Sequence, residues 1–286
     1  MRHLIGQAAA LLERAGVSSP VQDAEALAAH VLDVPRHAVR SASMDEQQRQ
    51  AYEALVARRA DRVPLQHLVG RTTFRRVELV VGPGVFVPRP ETEVVAGWAI
   101  EALEQAGRDR PHPIVVDLCS GSGAIAAALA DEAPWADVHA VELDDEAFGW
   151  ATRNLAGTQV DLRQGDMADA LPDLDGTVDV VVSNPPYIPL DAWESVSIEG
   201  RDHDPAPALW AGDDGLELMR VLERTAYRLL RPGGVVGAEH ADQQGEAAPA
   251  VFSSAGRWVE IRDHRDLTGR DRYVTARKPG GPAARC

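Results

Sequence analysis

Cysteine is nearly absent from this 286-residue chain: Cys119 lies between an apolar run and a glycine turn, and Cys286 is the last residue. Two such positions make neither a disulfide framework nor a metal-ligand spacing, which fits a reducing cytoplasm. No uninterrupted apolar run approaches about 18 residues, so no membrane span is expected. Residues 1–16 carry Glu13 and Arg14 and lack a small-residue cleavage site. They read as an amphipathic helix, not a signal peptide. Positive charge is also scarce, with 29 Lys and Arg against 44 Asp and Glu and a formal net charge of −15. Proteins that hold nucleic acid usually show a basic face, because phosphate neutralisation supplies much of the affinity. The deficit points to a protein or small-molecule partner, with no direct nucleic-acid contact and no membrane.

What is present is an ordinary globular composition, 45% hydrophobic and 26% charged, enough for one large domain and a small one. In residues 1–65 the apolar positions recur with a helical period. Leu4, Ile5, Ala8, Leu11, Leu12 and Ala15 share one face. Ser19-Pro20-Val21-Gln22 has the pattern of a capping box with proline at the first helical position. Ala24, Leu27, Ala28, Val31 and Leu32 continue that helix, and Pro35 stops it. A third helix is predicted over 45–60. Between 72 and 87 the period changes. Phe74, Val77, Leu79 and Val81 sit among polar residues, and Gly82-Pro83-Gly84 predicts a turn into Val85-Phe86-Val87, a β-hairpin.

A helix is predicted over 93–106, and from 113 onward strands and helices alternate. Strands are predicted over 114–116, 138–141, 178–182 and 235–238, with helices over 124–130, 146–155 and 216–230. This alternation predicts an α/β fold, a parallel sheet with helices on both faces. Residues 258–261 and 273–276 flank a polar turn and predict a closing antiparallel pair. The expected division is a helical bundle over 1–70 that docks substrate, a β-hairpin connector over 71–90, a catalytic domain over 91–278 and a flexible tail over 279–286.

The cofactor signal is Val115-Val116-Asp117-Leu118-Cys119-Ser120-Gly121-Ser122-Gly123, an apolar strand running into a glycine turn and then a helix. Glycines let the backbone pass close to a ligand where a Cβ would clash. The next strand ends at Glu142, an acid placed to accept from ribose hydroxyls. A dinucleotide would put its pyrophosphate on the helix N-terminus. A carboxylate at Asp117 would repel it, and favours the cationic S-adenosylmethionine (AdoMet) instead. Gln164-Gly165-Asp166-Met167 marks a further strand end, where Asp166 can accept from an adenine amino group or simply cap a loop, and Met167 can pack on the ring.

The target signal is Ser183-Asn184-Pro185-Pro186-Tyr187-Ile188, directly after an apolar strand. Two prolines end the strand and restrict the backbone, so the Pro185 carbonyl is held in one direction. With the Asn184 side-chain carbonyl it presents two acceptors to a nitrogen bearing two hydrogens, and Tyr187 offers a face to a planar target. An amide nitrogen is a poor nucleophile because its lone pair is delocalised. Holding both N–H bonds directs that lone pair at a methyl donor, a gain from orientation and electrostatics.

With these motifs in place, the chain resembles the HemK/PrmC family of protein-glutamine N5-methyltransferases. Pro64-Leu65-Gln66-His67-Leu68-Val69-Gly70, Val87-Pro88-Arg89-Pro90-Glu91-Thr92-Glu93, Leu230-Arg231-Pro232-Gly233-Gly234 and Glu239-His240 extend the likeness over nearly the whole chain. The resemblance implies a class I AdoMet-dependent methyltransferase domain, Rossmann-like, with a seven-stranded mostly parallel sheet and an antiparallel closing strand. It implies that Cys119, Ser120, Gly121, Ser122, Gly123, Glu142, Asp166 and Met167 hold AdoMet, with S-adenosylhomocysteine as product. It also implies that Asn184 and Pro185 accept from the glutamine amide of a Gly-Gly-Gln loop in peptide-chain release factors, the protein partner. Pro186 and Tyr187 would shape the slot and Phe86 pack beside it. Asp204-Pro205 stands where many relatives have Glu-Pro, Glu142 where many have Asp, and Met167 where tryptophan is frequent.

A second reading of the same tetrapeptide is an adenine-N6 methyltransferase on DNA or RNA, since an exocyclic amine presents the same two hydrogens. The acidic balance argues against it. His203, His240 and His264 read as packing or hydrogen-bonding residues, and Arg89 with Glu91 as an ion pair bracing the site or a solvated pair.

Overall fold

The computed structural model describes residues 1–280; Cys286 and all but the first two residues of the expected tail lie outside them. The chain forms two compact units. One comprises Met1–Arg71, Val81–Pro83 and Val196–His203, and the other Thr72–Val80, Gly84–Ser195 and the remainder from Asp204.

The first unit is built from α1 (Arg2–Arg14), α2 (Pro20–Leu32), a 3₁₀ turn at Arg36–Ser41, α3 (Glu46–Ala60) and α4 (Leu65–Val69). Its core gathers Leu12, Leu27, Tyr52 and Val56. Proline is at the start of α2 as expected, but Ser19 makes no side-chain cap. The capping box forms instead on α3, where Asp45 accepts from the Gln48 N–H and Gln48 answers to the Asp45 N–H. Buried charge in this unit is paired: the Arg59 Nε donates to Asp23 at 2.8 Å, and Arg59 and Arg62 both donate to Glu199. Burial raises the Glu199 pKa, but the arginines outweigh it and bring it to about 2.

The second unit begins within β1 (Arg71–Phe74), at Thr72, and β1 pairs with β2 (Val77–Val80) in a two-stranded sheet. The expected turn at Gly82-Pro83-Gly84 is therefore corrected: the hairpin turns at Arg75-Arg76, and Val85-Phe86-Val87 forms no strand, although Val85 and Val87 are buried. Arg75 holds a positive φ of 50° there, its guanidinium bound to Glu132 and its N–H to Glu93.

There follow α5 (Thr92–Ala106), β3 (Ile114–Leu118), α6 (Ala124–Glu132), β4 (Asp137–Glu142), α7 (Asp145–Asn154), β5 (Asp161–Gln164) and β6 (Val178–Ser183). After α8 (Ile198–His203), which groups with the helical unit, come α9 (Glu217–Leu229), β7 (Leu230–Glu239), α10 (Ala247–Ser254), β8 (Val259–Arg265) and β9 (Asp271–Arg277). The seven strands from β3 onward form one sheet in the order β5-β4-β3-β6-β7-β9-β8, parallel except that β9 runs against both its neighbours.

Strand pleating sends alternate residues to two cores. Val115, Val180 and Val182 join α5 and α6 on one face; Val116, Leu118 and Val181 join α9 and α10 on the other. Covered on both faces, β6 is buried along its whole length. The buried Asp179 within it is satisfied by Arg110, Arg231 and the Ile114 N–H. Strand order reverses at β3, which lies between β4 and β6, so a crevice forms at the carboxyl ends of these strands. Among the described residues no helix is long and apolar enough to cross a membrane.

Candidate active site

A cavity of about 620 Å³ lies in the second unit at those strand ends. It is lined by the turn after β3, the ends of β4 and β5, and the Asn184–Tyr187 segment after β6. Of the residues expected at the site, Phe86, Cys119, Ser120, Gly121, Ser122, Glu142, Asp166, Met167, Asn184, Pro185, Pro186 and Tyr187 line it, whereas Asp117 and Gly123 do not.

Asp117 is fully buried behind the turn. Its Oδ2 accepts from the Ser120 hydroxyl at 2.7 Å and from the Ala126 N–H at 3.2 Å, tying β3 to the first turn of α6. Burial pushes its pKa up to about 7, against the pull of those two donors. Gly123, with φ +81°, leaves room for α7: a Cβ there would come 3.2 Å from Leu155. Gly121 differs. At φ +58° its missing Cβ would meet no protein atom within 4 Å, so the backbone is bared toward open space. Cys119 also holds a positive φ of 60°, uncommon for a side chain with a Cβ, and its Sγ lies 3.7 Å from the Met167 Sδ.

Glu142 closes the turn. Its two oxygens accept from the Gly121 N–H at 2.7 Å and the Asp144 N–H at 2.8 Å, so the acid is oriented by backbone on both sides. Burial raises its pKa despite these bonds. Asp166 accepts from the Ala168 N–H at 2.9 Å, which makes it a loop cap that still lines the cavity, and Met167 is buried beside it.

Beyond β6, Ser183 anchors the strand end by donating to the Leu118 carbonyl at 2.6 Å. The Asn184 Nδ2 donates to the Thr92 Oγ1 at 3.2 Å, which leaves Oδ1 as the acceptor end of that amide. Tyr187 is held at both ends. Its hydroxyl donates to the Glu239 Oε1 at 3.1 Å, and its carbonyl accepts from the Gln244 Nε2 at 3.1 Å. A Cβ at Gly215 would lie 2.4 Å from that carbonyl, so only glycine fits where the two backbones meet. Burial pushes the Tyr187 phenol upward, and pushes Glu239 up to about 7.

Of the two readings of Arg89 and Glu91, neither names the partner found: Arg89 pairs with Asp204. Its Nη2 donates to the buried Asp204 at 2.8 Å, and its guanidinium lies 5.1 Å from the centre of the Phe86 ring. The Asp-Pro at 204–205 thereby holds the wall that Phe86 and Pro205 contribute to the cavity. His240 is buried, its ring nitrogens bonded to the Ala241 carbonyl and Asp263, and His264 bonds Thr275. Neither lines the cavity. The bonds of Thr92 and Glu239 to the target segment were not foreseen, because Thr92 and Asn184 are 92 positions apart and no local pattern links them.

A seven-stranded sheet of this order, with its cleft at the β3 switch point, an acid at the end of β4 and Asn-Pro-Pro-Tyr after β6, defines a class I methyltransferase. Residues 77–194 match the methyltransferase small domain family, and residues 3–70 match the PrmC N-terminal domain family. Release factor glutamine methyltransferase from Streptomyces coelicolor is 57% identical over 277 residues, 96% of each chain. The protein of that name from Mycolicibacterium smegmatis is 46% identical, covering 96% of this chain and 97% of its own. The 4-amino-L-phenylalanine/4-methylamino-L-phenylalanine methyltransferase of Streptomyces pristinaespiralis is 48% identical over 204 residues, 71% of this chain and 70% of that one. The chain belongs to the release factor glutamine methyltransferase family, as the sequence motifs implied.

Proposed function

We propose that this protein methylates the side-chain amide nitrogen (N5) of the glutamine in the Gly-Gly-Gln loop of peptide-chain release factors, in the cytoplasm, with AdoMet as donor. The observation that carries this reading is Asn184: its Nδ2 donates to Thr92, which sets the amide so that Oδ1 is the end free to accept from a target N–H. A two-hydrogen nitrogen is what such an acceptor, paired with the Pro185 carbonyl, holds.

The cavity suits AdoMet. The bared backbone at Gly121 admits close approach, and the carboxylates Glu142 and Asp166 on the lining favour a cation over a pyrophosphate. Glu142 would accept from the ribose hydroxyls, Cys119 to Ser122 would lie along the amino-acid moiety, and Asp166 with Met167 would hold the adenine. Asp117 and Gly123 would act through the turn, one bracing it and the other seating it on α7. When bound, AdoMet supplies an electrophilic methyl on a sulfonium.

The chain's own residues do the rest. Asn184 and Pro185 fix both N–H bonds, so the nitrogen lone pair is directed along one line. These acceptors also stabilise the positive charge that develops on nitrogen as the new bond forms. Pro186, Tyr187 and Phe86 confine a planar group. The helical unit would dock the release factor outside the slot.

Mass spectrometry of a release factor incubated with enzyme and AdoMet tests this. One added methyl on the Gly-Gly-Gln glutamine, lost in Asn184→Ala by roughly 100-fold or more as expected for removing a preorganised polar contact, is the predicted result. Unmodified glutamine under conditions where AdoMet binds would refute it. The Streptomyces pristinaespiralis relative favours a second reading, an aromatic amine substrate, since an aniline nitrogen also carries two hydrogens. Methyl transfer to 4-amino-L-phenylalanine in place of the release factor would select that one. The adenine-N6 reading gains no support from a chain of net charge −15.

A further inference from the structure

Resting on the proposed reaction, we infer that Glu239 and Thr92 are positioning residues, which together order the Asn184 amide and Tyr187 for the target nitrogen. A side-chain amide has two ends of nearly equal size, and only the oxygen end can accept from a substrate N–H. Something must therefore decide which way Asn184 faces. In the structure that choice is made by Thr92 Oγ1, which accepts from the Asn184 Nδ2 at 3.2 Å.

A hydroxyl can donate as well as accept, so its own direction needs a cause. The cause is Glu239, at the end of β7, where the carboxyl is 1% exposed. The Tyr187 hydroxyl donates to its Oε1 at 3.1 Å, and the nearby Thr92 hydroxyl opposes the rise that burial imposes on the carboxyl's pKa. Its Oε2 is buried with no hydrogen-bond partner among the described residues. In its ionised form this carboxylate accepts only, and one with an unsatisfied oxygen draws nearby donors strongly. Tyr187 gives its proton to Glu239, and the unpartnered oxygen of the ionised carboxylate draws the Thr92 proton the same way. With its proton spent, Thr92 presents a lone pair to Asn184, and Asn184 is left with its oxygen facing the slot. One buried acid thus fixes the polarity of two residues that line the cavity, while not lining it itself.

The alternative is that Thr92 and Glu239 only fill space beneath the slot. Steady-state methylation of a release factor, with AdoMet binding measured by calorimetry, separates the two. Thr92→Val keeps the shape and removes the hydroxyl. Glu239→Gln keeps the volume but offers an NH₂ where only acceptors stood. Each is expected to lower kcat about 10-fold or more while the AdoMet Kd stays within about threefold, and Thr92→Ser is expected to restore most of the kcat. Thr92→Val at wild-type kcat, or Thr92→Ser impaired as severely as Thr92→Val, overturns the inference and leaves the proposed reaction standing. A folded Glu239→Gln protein, checked by circular dichroism, with unchanged kcat overturns it equally. Wild-type enzyme that leaves the glutamine unmodified overturns both together.

Discussion

Asp117 shows what a strand-end acid does when it points inward. At the level of sequence it stands beside a glycine turn and reads as a cofactor ligand. In the structure it caps α6 from behind, and its other oxygen, Oδ1, is buried without a partner. A strand pattern tells which end of the sheet a residue occupies, but an acid at that end can face the crevice or the next helix. Glu142 faces the crevice and Asp117 does not. The consequence is a pH dependence. The carboxyl titrates near 7 in the folded protein and near 4 in the unfolded chain. Between these values the folded state holds a proton that the unfolded state has lost. The stabilisation is complete below about pH 4, declines as pH rises, and is gone above about pH 7. Asp117→Asn removes this titration, so its urea midpoint should vary less between about pH 5 and pH 7 than the wild-type midpoint does. Glu239, raised to about 7 as well, leaves part of the slope in place. Parallel midpoint curves for the two proteins would mean that Asp117 ionises at its ordinary value.

Elements were legible where one period dominated. The valine run of β6 and the stripes of α1, α2 and α9 needed no tertiary information, because burial on one face or two writes itself into the spacing. The hairpin did not follow the strongest turn dipeptides. Gly82-Pro83-Gly84 was outcompeted by Arg75-Arg76, a poor turn by composition, because Glu132 and Glu93 lie where they can hold Arg75. Such partners are invisible to a local window. α10 was missed for another reason: it is eight residues long with Pro249 in its first turn, a position where proline is tolerated but which reads as a break. Helix–sheet fit was equally hidden. Trp98 of α5 packs against β7 where Gly237 has no side chain, and a Cβ there would come 2.2 Å from the ring. Gly237→Ala should therefore overpack this contact and cost about 1–3 kcal/mol, read as a drop in melting temperature. A variant as stable as wild type would show that Trp98 has room to move.

For the whole molecule, the question is how an enzyme selects one glutamine among many. A single amide and its flanking glycines bury far less than the roughly 800 Å² per partner of a specific protein interface. Selectivity by the slot alone is then implausible on size. In the proposed division, the catalytic unit supplies the geometry of the amide and the helical unit supplies surface. Charge adds direction: at −15 the enzyme favours a partner whose docking face is basic, and such attraction acts mainly on the rate of encounter. Both effects are visible without dismantling the protein. The full-length enzyme is given either an intact release factor or a short peptide containing Gly-Gly-Gln. Docking outside the slot predicts a kcat/KM at least about 100-fold higher for the intact factor, a gap worth about 2.7 kcal/mol. It also predicts that the intact factor's kcat/KM falls as salt rises from about 20 to about 500 mM, where screening shortens to a few Å, while that of the peptide barely moves. Equal efficiencies would place all recognition in the slot and leave the helical unit without a part in it. A large gap insensitive to salt would keep the docking and make it apolar.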